Sequence, residues 1–120
     1  MEGFEVRRAH AERPMEDGWT GALNRSRATM RREGFTVSHV RRGSSLRGAR
    51  PPDLLATNGA RVVRVFVLLD RAVDAEDTRR RISAAYRHGE TRVFVRWALR
   101  WRMLSNVDRW GLRGVAVTTW

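Results

Sequence analysis

The sequence predicts an α/β domain in which helices flank a single mixed β-sheet. Three observations carry that expectation. Residues 61–69, RVVRVFVLL, are an almost unbroken apolar and β-branched run, the composition of a strand covered on both faces. Helical spacing appears on either side of that run, around residues 19–34 and 74–89. Further short alternating segments with turn signals supply the remaining strands. Helices and strands that alternate along one chain pack in layers around one sheet.

Taken in order, residues 1–18 carry mixed charge and Pro14 without a sustained period, and read as an N-terminal arm. A helix is expected from Trp19–Thr20, because Trp19, Ala22, Leu23, Ser26 and Met30 recur at helical spacing. Gly34 is placed to close it, and Arg25, Arg27, Arg31 and Arg32 lie on its other face. The run FTVSHV at 35–40 suits a strand. Residues 41–52, RRGSSLRGARPP, have the composition of a mobile loop. Residues 53–57 suit a short strand, and Asn58-Gly59 is a hairpin signal before the run at 61–69. Asp74 is expected to cap a second helix with Thr78, Ile82, Ala85 and Tyr86 as its apolar stripe, ended by Gly89. Its arginines Arg79, Arg80, Arg81 and Arg87 are read as pointing elsewhere, into solvent. Residues 92–101, RVFVRWALRW, alternate, with Val93, Val95, Trp97 and Leu99 on one face. A further strand is expected over 101–104. Residues 105–120 form an extension, either an extra strand or a dimer contact.

A chain of 120 residues suits one domain with a core of its own. No cysteine is present, which excludes disulfides and cysteine-ligated zinc. No apolar run reaches membrane-span length. The first residues lack the apolar stretch of a signal peptide, so a cytoplasmic protein is expected. The formal net charge is +11, which points to a polyanionic partner, most simply nucleic acid. All 24 basic residues counted as lysine or arginine are arginine. The guanidinium fork suits bidentate phosphate contact, and codon usage in a GC-rich genome produces the same bias. The lack of lysine excludes any lysine base or Schiff-base nucleophile. The absence of cysteine and glutamine points to a thermophile.

The ordered set GFTVSHVRRGSS, PPDLLATNGARVVRVFVLL and RVFVRWALRWRML resembles the archaeal Holliday junction resolvases, over about residues 19–104. That family is restriction-endonuclease-like, with a PD-(D/E)xK site in which acids hold a divalent metal and a lysine assists the attacking water. The resemblance places Asp53 at the family's Asp and Ser44 at its loop serine. It places Phe66 at the second acid and Leu68 at the lysine. The acid of the first helix falls near Leu23 or Asn24. Positions 64, 66 and 68 share one strand face, so Phe and Leu would replace a wet, ion-holding surface by apolar packing. A single carboxylate does not normally hold a catalytic Mg²⁺, so Asp53 reads as a turn or cap residue.

The expectation is therefore a catalytically inactive nuclease-fold protein without a metal or other cofactor. It would bind DNA through Arg41, Arg42, Ser44, Arg47 and Arg50, extended by Arg25, Arg27, Arg31 and Arg32. The resemblance further implies a homodimer, a preference for branched or distorted duplex, and a partner in recombination or repair. One alternative is an active nuclease using Mg²⁺ or Mn²⁺ with ligands moved to Glu12, Glu16, Asp17 or Asp70. The other is a module that docks a protein through the dry former site and the tryptophan-rich tail. His10, His39 and His88 are too scattered to suggest zinc, though His39 adjoins the arginine loop. Trp97 and Trp101 are expected in the core. Trp110 and Trp120 are expected to cover a sheet edge or a dimer contact.

Overall fold

The computed structural model describes residues 14–40 and 51–120, with side chains in the first helix from Gly18 onward. Helix α1 runs Pro14–Arg32, beginning five residues before the Trp19 that the apolar spacing marked. Pro14 occupies its first position, where a residue without an N–H and with a fixed φ costs least. Gly34 ends the helix at φ +96°, a left-handed conformation that a side chain would strain. Its N–H donates to the Arg31 carbonyl and the Phe35 N–H reaches back to the Met30 carbonyl. Phe35 and Met30 then meet in the core, which fixes the direction in which the chain leaves the helix.

Strand β1 (Thr36–His39) pairs antiparallel with β2 (Leu54–Asn58), with His39 opposite Leu54. Strand β2 pairs antiparallel with β3 (Arg61–Val67). Asn58 is still paired, opposite Arg61, so the turn is Gly59-Ala60, one residue later than the Asn-Gly signal suggested. A 3₁₀ turn, Asp70–Ala72, leads to helix α2 (Glu76–Tyr86). Strand β4 (Thr91–Val95) returns parallel to β3. A second 3₁₀ turn, Trp97–Leu99, opens helix α3 (Arg100–Arg109), and β5 (Ala116–Thr119) adds parallel to β4. The result is one mixed five-stranded sheet in the order β1-β2-β3-β4-β5.

Alternation along β3 divides the core between the two faces. Val63, Val65 and Val67 join Leu54, Ala56 and Phe94 beneath α1, which contributes Ala22 and Met30. Phe66 joins Val93 and Val95 on the other face, beneath Ile82 and Ala85 of α2 and Met103 and Val107 of α3. This double coverage is why the run at 61–69 is apolar at consecutive positions. The extension at 105–120 belongs to the same layers, since α3 crosses its boundary and β5 completes the sheet.

Several expectations fail here. The alternation from Arg92 does not continue as strand beyond Val95, and the segment expected as strand at 101–104 is the first turn of α3. Leu99, Met103 and Val107 then form a helical stripe toward the core. Trp97 and Trp101, expected inside, are 77% and 75% exposed. Asp74 does not cap α2; the cap position is Ala75 and no side chain bonds there. Asp74 Oδ1 instead accepts from Asn106 Nδ2 at 2.8 Å and from Arg102 Nε at 3.1 Å, both on α3. Tyr86 lies at the rim, 36% exposed. No helix among the described residues is long and apolar enough to cross a membrane.

Candidate functional site

Asp53 stands at the entry to β2, at the sheet end where β1, β3, β4 and β5 all finish. Pro51 and Pro52 precede it and offer no N–H to a ladder. The last β2–β3 pair is Leu54 with Val65. Beyond it the Val67 N–H has no strand carbonyl, and it donates to Asp53 Oδ2 at 2.8 Å. The Asp53 N–H donates to the Val65 carbonyl at 2.9 Å. One carboxylate oxygen thus extends the ladder past the end of β2.

The other oxygen faces Arg81. This residue projects from α2 back toward the sheet, contrary to the expectation that it points away. Its Nη2 donates to the Pro51 carbonyl at 3.1 Å and to Asp53 Oδ1 at 3.4 Å. Its guanidinium lies 5.1 Å from the centre of the Phe66 ring, close enough for a cation–π contact. Both charged side chains are only 15% exposed. Burial pushes the Asp53 carboxyl above its ordinary range, and the Val67 N–H and Arg81 pull it only part of the way back. Arg81 Nε is buried without a partner.

The chemistry available at this corner follows from those contacts. Both Asp53 oxygens have donors. Phe66 and Leu68, the positions that the sequence resemblance aligns with an acid and a lysine, are fully buried in apolar packing. Leu23 packs against the core and Asn24, exposed, accepts from Arg27, so neither of these two positions brings an acid to the corner. Asp70 is held by Arg96, with Nη2 donating to Oδ2 at 2.8 Å. Among the described residues no three acids or histidines converge on a common point. Glu12 lies outside the described residues, as do the side chains of Glu16 and Asp17. The arrangement can anchor a strand end and hold a buried guanidinium; among the described residues it does not bring together the several oxygen ligands that Mg²⁺ takes.

The arginines divide into two sets. Most described carboxylates have an arginine partner: Glu33 with Arg92, Asp70 with Arg96, Asp74 with Arg102, Glu76 with Arg79, Glu90 with Arg61 and Asp108 with Arg113. Arg25, Arg31 and Arg32 on α1 are exposed and Arg27 is half-buried, and none of the four meets a carboxylate among the described side chains. Arg27 instead contacts His39 Nε2 at 2.9 Å, which ties the basic face of α1 to the end of β1. His39 and Val40 directly precede the arginine-rich segment. Arg41, Arg42, Ser44, Arg47 and Arg50 themselves fall outside the described residues, as does His10. His88 is exposed beyond α2 and joins none of these groups.

The tryptophans were placed less well by sequence. Trp110 packs against the core under α2 and α3. Trp120 covers the α1 side, with its N–H on the Val95 carbonyl at 3.1 Å and its indole N–H on the Leu68 carbonyl at 3.4 Å. Both cover the ends of this chain's own layers. The role of Arg81 was missed because a run of three arginines reads as a solvated face. Its place one residue before Ile82 of the buried stripe was the available signal. Comparison with protein families, with curated proteins and with solved structures finds no match for this chain.

Proposed function

We propose that this protein binds nucleic acid, DNA in the first instance, through the arginines of α1 beside the end of β1 together with Arg41, Arg42, Arg47 and Arg50, which follow β1 in the sequence, and that it does so without cleaving it. The observation that carries the reading is the sorting of charge. Acids neutralise arginines around α2, β4 and α3, whereas the α1 set remains unmatched among the described side chains. On a chain of net charge +11, such a surplus attracts phosphate without any sequence code. The order of elements from α1 to β4 supports kinship with the restriction-endonuclease-like folds, and Arg81 supports loss of their chemistry. A guanidinium on Phe66 supplies the positive charge beside Asp53 that a metal would otherwise supply. The homodimer and the preference for branched DNA rest on the sequence resemblance.

Anisotropy titrations of a labelled duplex and a four-way junction from 50 to 200 mM salt test this. Binding should weaken by about a thousandfold over that range if some six phosphates are contacted. Replacing Arg25, Arg27, Arg31 and Arg32 by Ala, or Arg41, Arg42 and Arg47, should weaken it further and flatten the salt slope. No binding at 50 mM salt, or binding by both variants as tight as the wild type's, refutes the reading. Junction cleavage with Mn²⁺ that Asp53→Ala abolishes would turn it into a nuclease.

A further inference from the structure

The exposed tryptophans Trp97 and Trp101 call for an occupant. They stand four residues apart where β4 gives way to α3, 77% and 75% exposed, while the other large apolar side chains are mostly covered. Nothing in the packing of α3 needs them, because Leu99, Met103 and Val107 already face the core. Arginines surround them in sequence: Arg96, Arg100 and Arg102. Arg96 and Arg102 are ion-paired with Asp70 and Asp74, which leaves Arg100 as the cation beside the rings that meets no carboxylate among the described residues. The Arg100 guanidinium lies 5.1 Å from the Trp101 ring centre. The site lies beyond the carboxyl end of β4, at the same sheet end as His39, Asp53 and Val67.

Charge selects among occupants. A second copy of this chain would bring another +11 against the patch, and an apolar partner would have to cover Arg100 and two exposed ion pairs. Unstacked nucleobases offer flat π-faces on a phosphate backbone, which suits indole rings flanked by guanidinium groups. We propose that Trp97 and Trp101 form a stacking platform for unpaired bases of single-stranded nucleic acid, with Arg100 beside them as a phosphate or base-face contact. This rests on the nucleic-acid reading above and adds to it a preference for strands with unpaired bases.

The test uses the full chain with labelled 15-mers of deoxyuridine and of uridine and a 20-base-pair duplex. Trp97→Ala and Trp101→Ala should each weaken single-strand binding by about tenfold or more, since a stacked base contributes on that order. The duplex affinity should change less than twofold. Trp97→Phe with Trp101→Phe should keep most of the single-strand affinity. The stronger of the two single-strand arms identifies the sugar. Melting curves confirm that the variants fold, as loss of an exposed ring should leave them unchanged. If the double Ala variant binds single strands as the wild type does, the platform is refuted and the nucleic-acid reading survives. If duplex and single-strand affinities fall alike, the rings do not read bases and the platform is refuted. Failure of the wild type to bind any of the three probes refutes both. A wild-type dimer that the double Ala variant breaks assigns the patch to self-contact and overturns the proposal.

Discussion

Arg81→Met offers the sharpest test of the Asp53 corner. The substitution keeps an apolar stem over Phe66 and removes the charge that faces Asp53 Oδ1 at 3.4 Å and the Pro51 carbonyl at 3.1 Å. Deleting one member of a buried ion pair costs about 3–5 kcal/mol, because it leaves the other charge buried and alone. The contact is long and one Arg81 nitrogen already lacks a partner, so the low end, about 3 kcal/mol, is the expectation. For a domain of this size that lowers the melting temperature by roughly 10 °C. The pH dependence has a definite sign. Asp53 is already raised above its ordinary value by burial, and loss of Arg81 raises it further. A carboxyl raised in the folded state does not weaken the fold while protonated, and weakens it as pH rises through the folded value. The deficit of the variant should therefore be largest near pH 8 and shrink toward about pH 4. Adding Asp53→Asn should restore much of the loss at pH 8, since the amide oxygen still accepts the Val67 N–H without a charge. Urea unfolding followed by circular dichroism measures all three. A deficit equal at both pH values, with Asp53→Asn simply adding its own loss, would show that no charge coupling operates at the corner.

Other perturbations probe the surrounding frame. Asn106→Ala removes a buried amide that donates to the Val73 carbonyl at 3.0 Å and to Asp74, so unfolding experiments should register a loss of about 1–3 kcal/mol. Gly34→Ala forces a side chain into φ +96° at the end of α1 and should cost about 1–2 kcal/mol, read as a lower urea midpoint with an unchanged slope. Glu33, Glu76, Glu90 and Asp74 are held below the usual carboxylate range, Glu33 and Glu90 chiefly by hydrogen bonds from Arg92 and Arg61, Glu76 by Arg79, and Asp74 by Asn106. In the unfolded chain these groups take up protons first, so stability should fall as pH drops from about 5 toward 3, with Asp53 opposing the trend. Melting temperatures that stay flat or rise over that interval would contradict it.

Much of the architecture was legible because the core imposes period. Val63, Val65 and Phe66 announce a strand covered twice, and Gly34 and Ile82 mark a helix end and a helix face. The failures have a common cause in contacts distant along the chain. Arg92 to Leu99 alternates smoothly, yet the strand stops at Val95, and the helical stripe Leu99, Met103 and Val107 takes over. Asp74 has the chemistry of a helix cap, but Asn106 and Arg102 on α3 claim its carboxylate. Arg81 is one of three identical neighbours, and only the fold distinguishes the one that turns inward. At the candidate site, sequence placed Asp53, Phe66 and Leu68 but gave no hint of the guanidinium between Asp53 and Phe66. It also gave no hint that Trp97 and Trp101 stand in water.

The two outermost strands, β1 and β5, are four residues each, and β1 reads Thr-Val-Ser-His with little apolar surface to offer. Short, polar borders make poor templates for a neighbouring chain to extend the sheet. In free solution the like charge of each molecule reinforces that protection. If the proposed polyanion neutralised that charge and brought copies side by side, the short borders would be the remaining guard against adjacent molecules fusing into a continuous sheet.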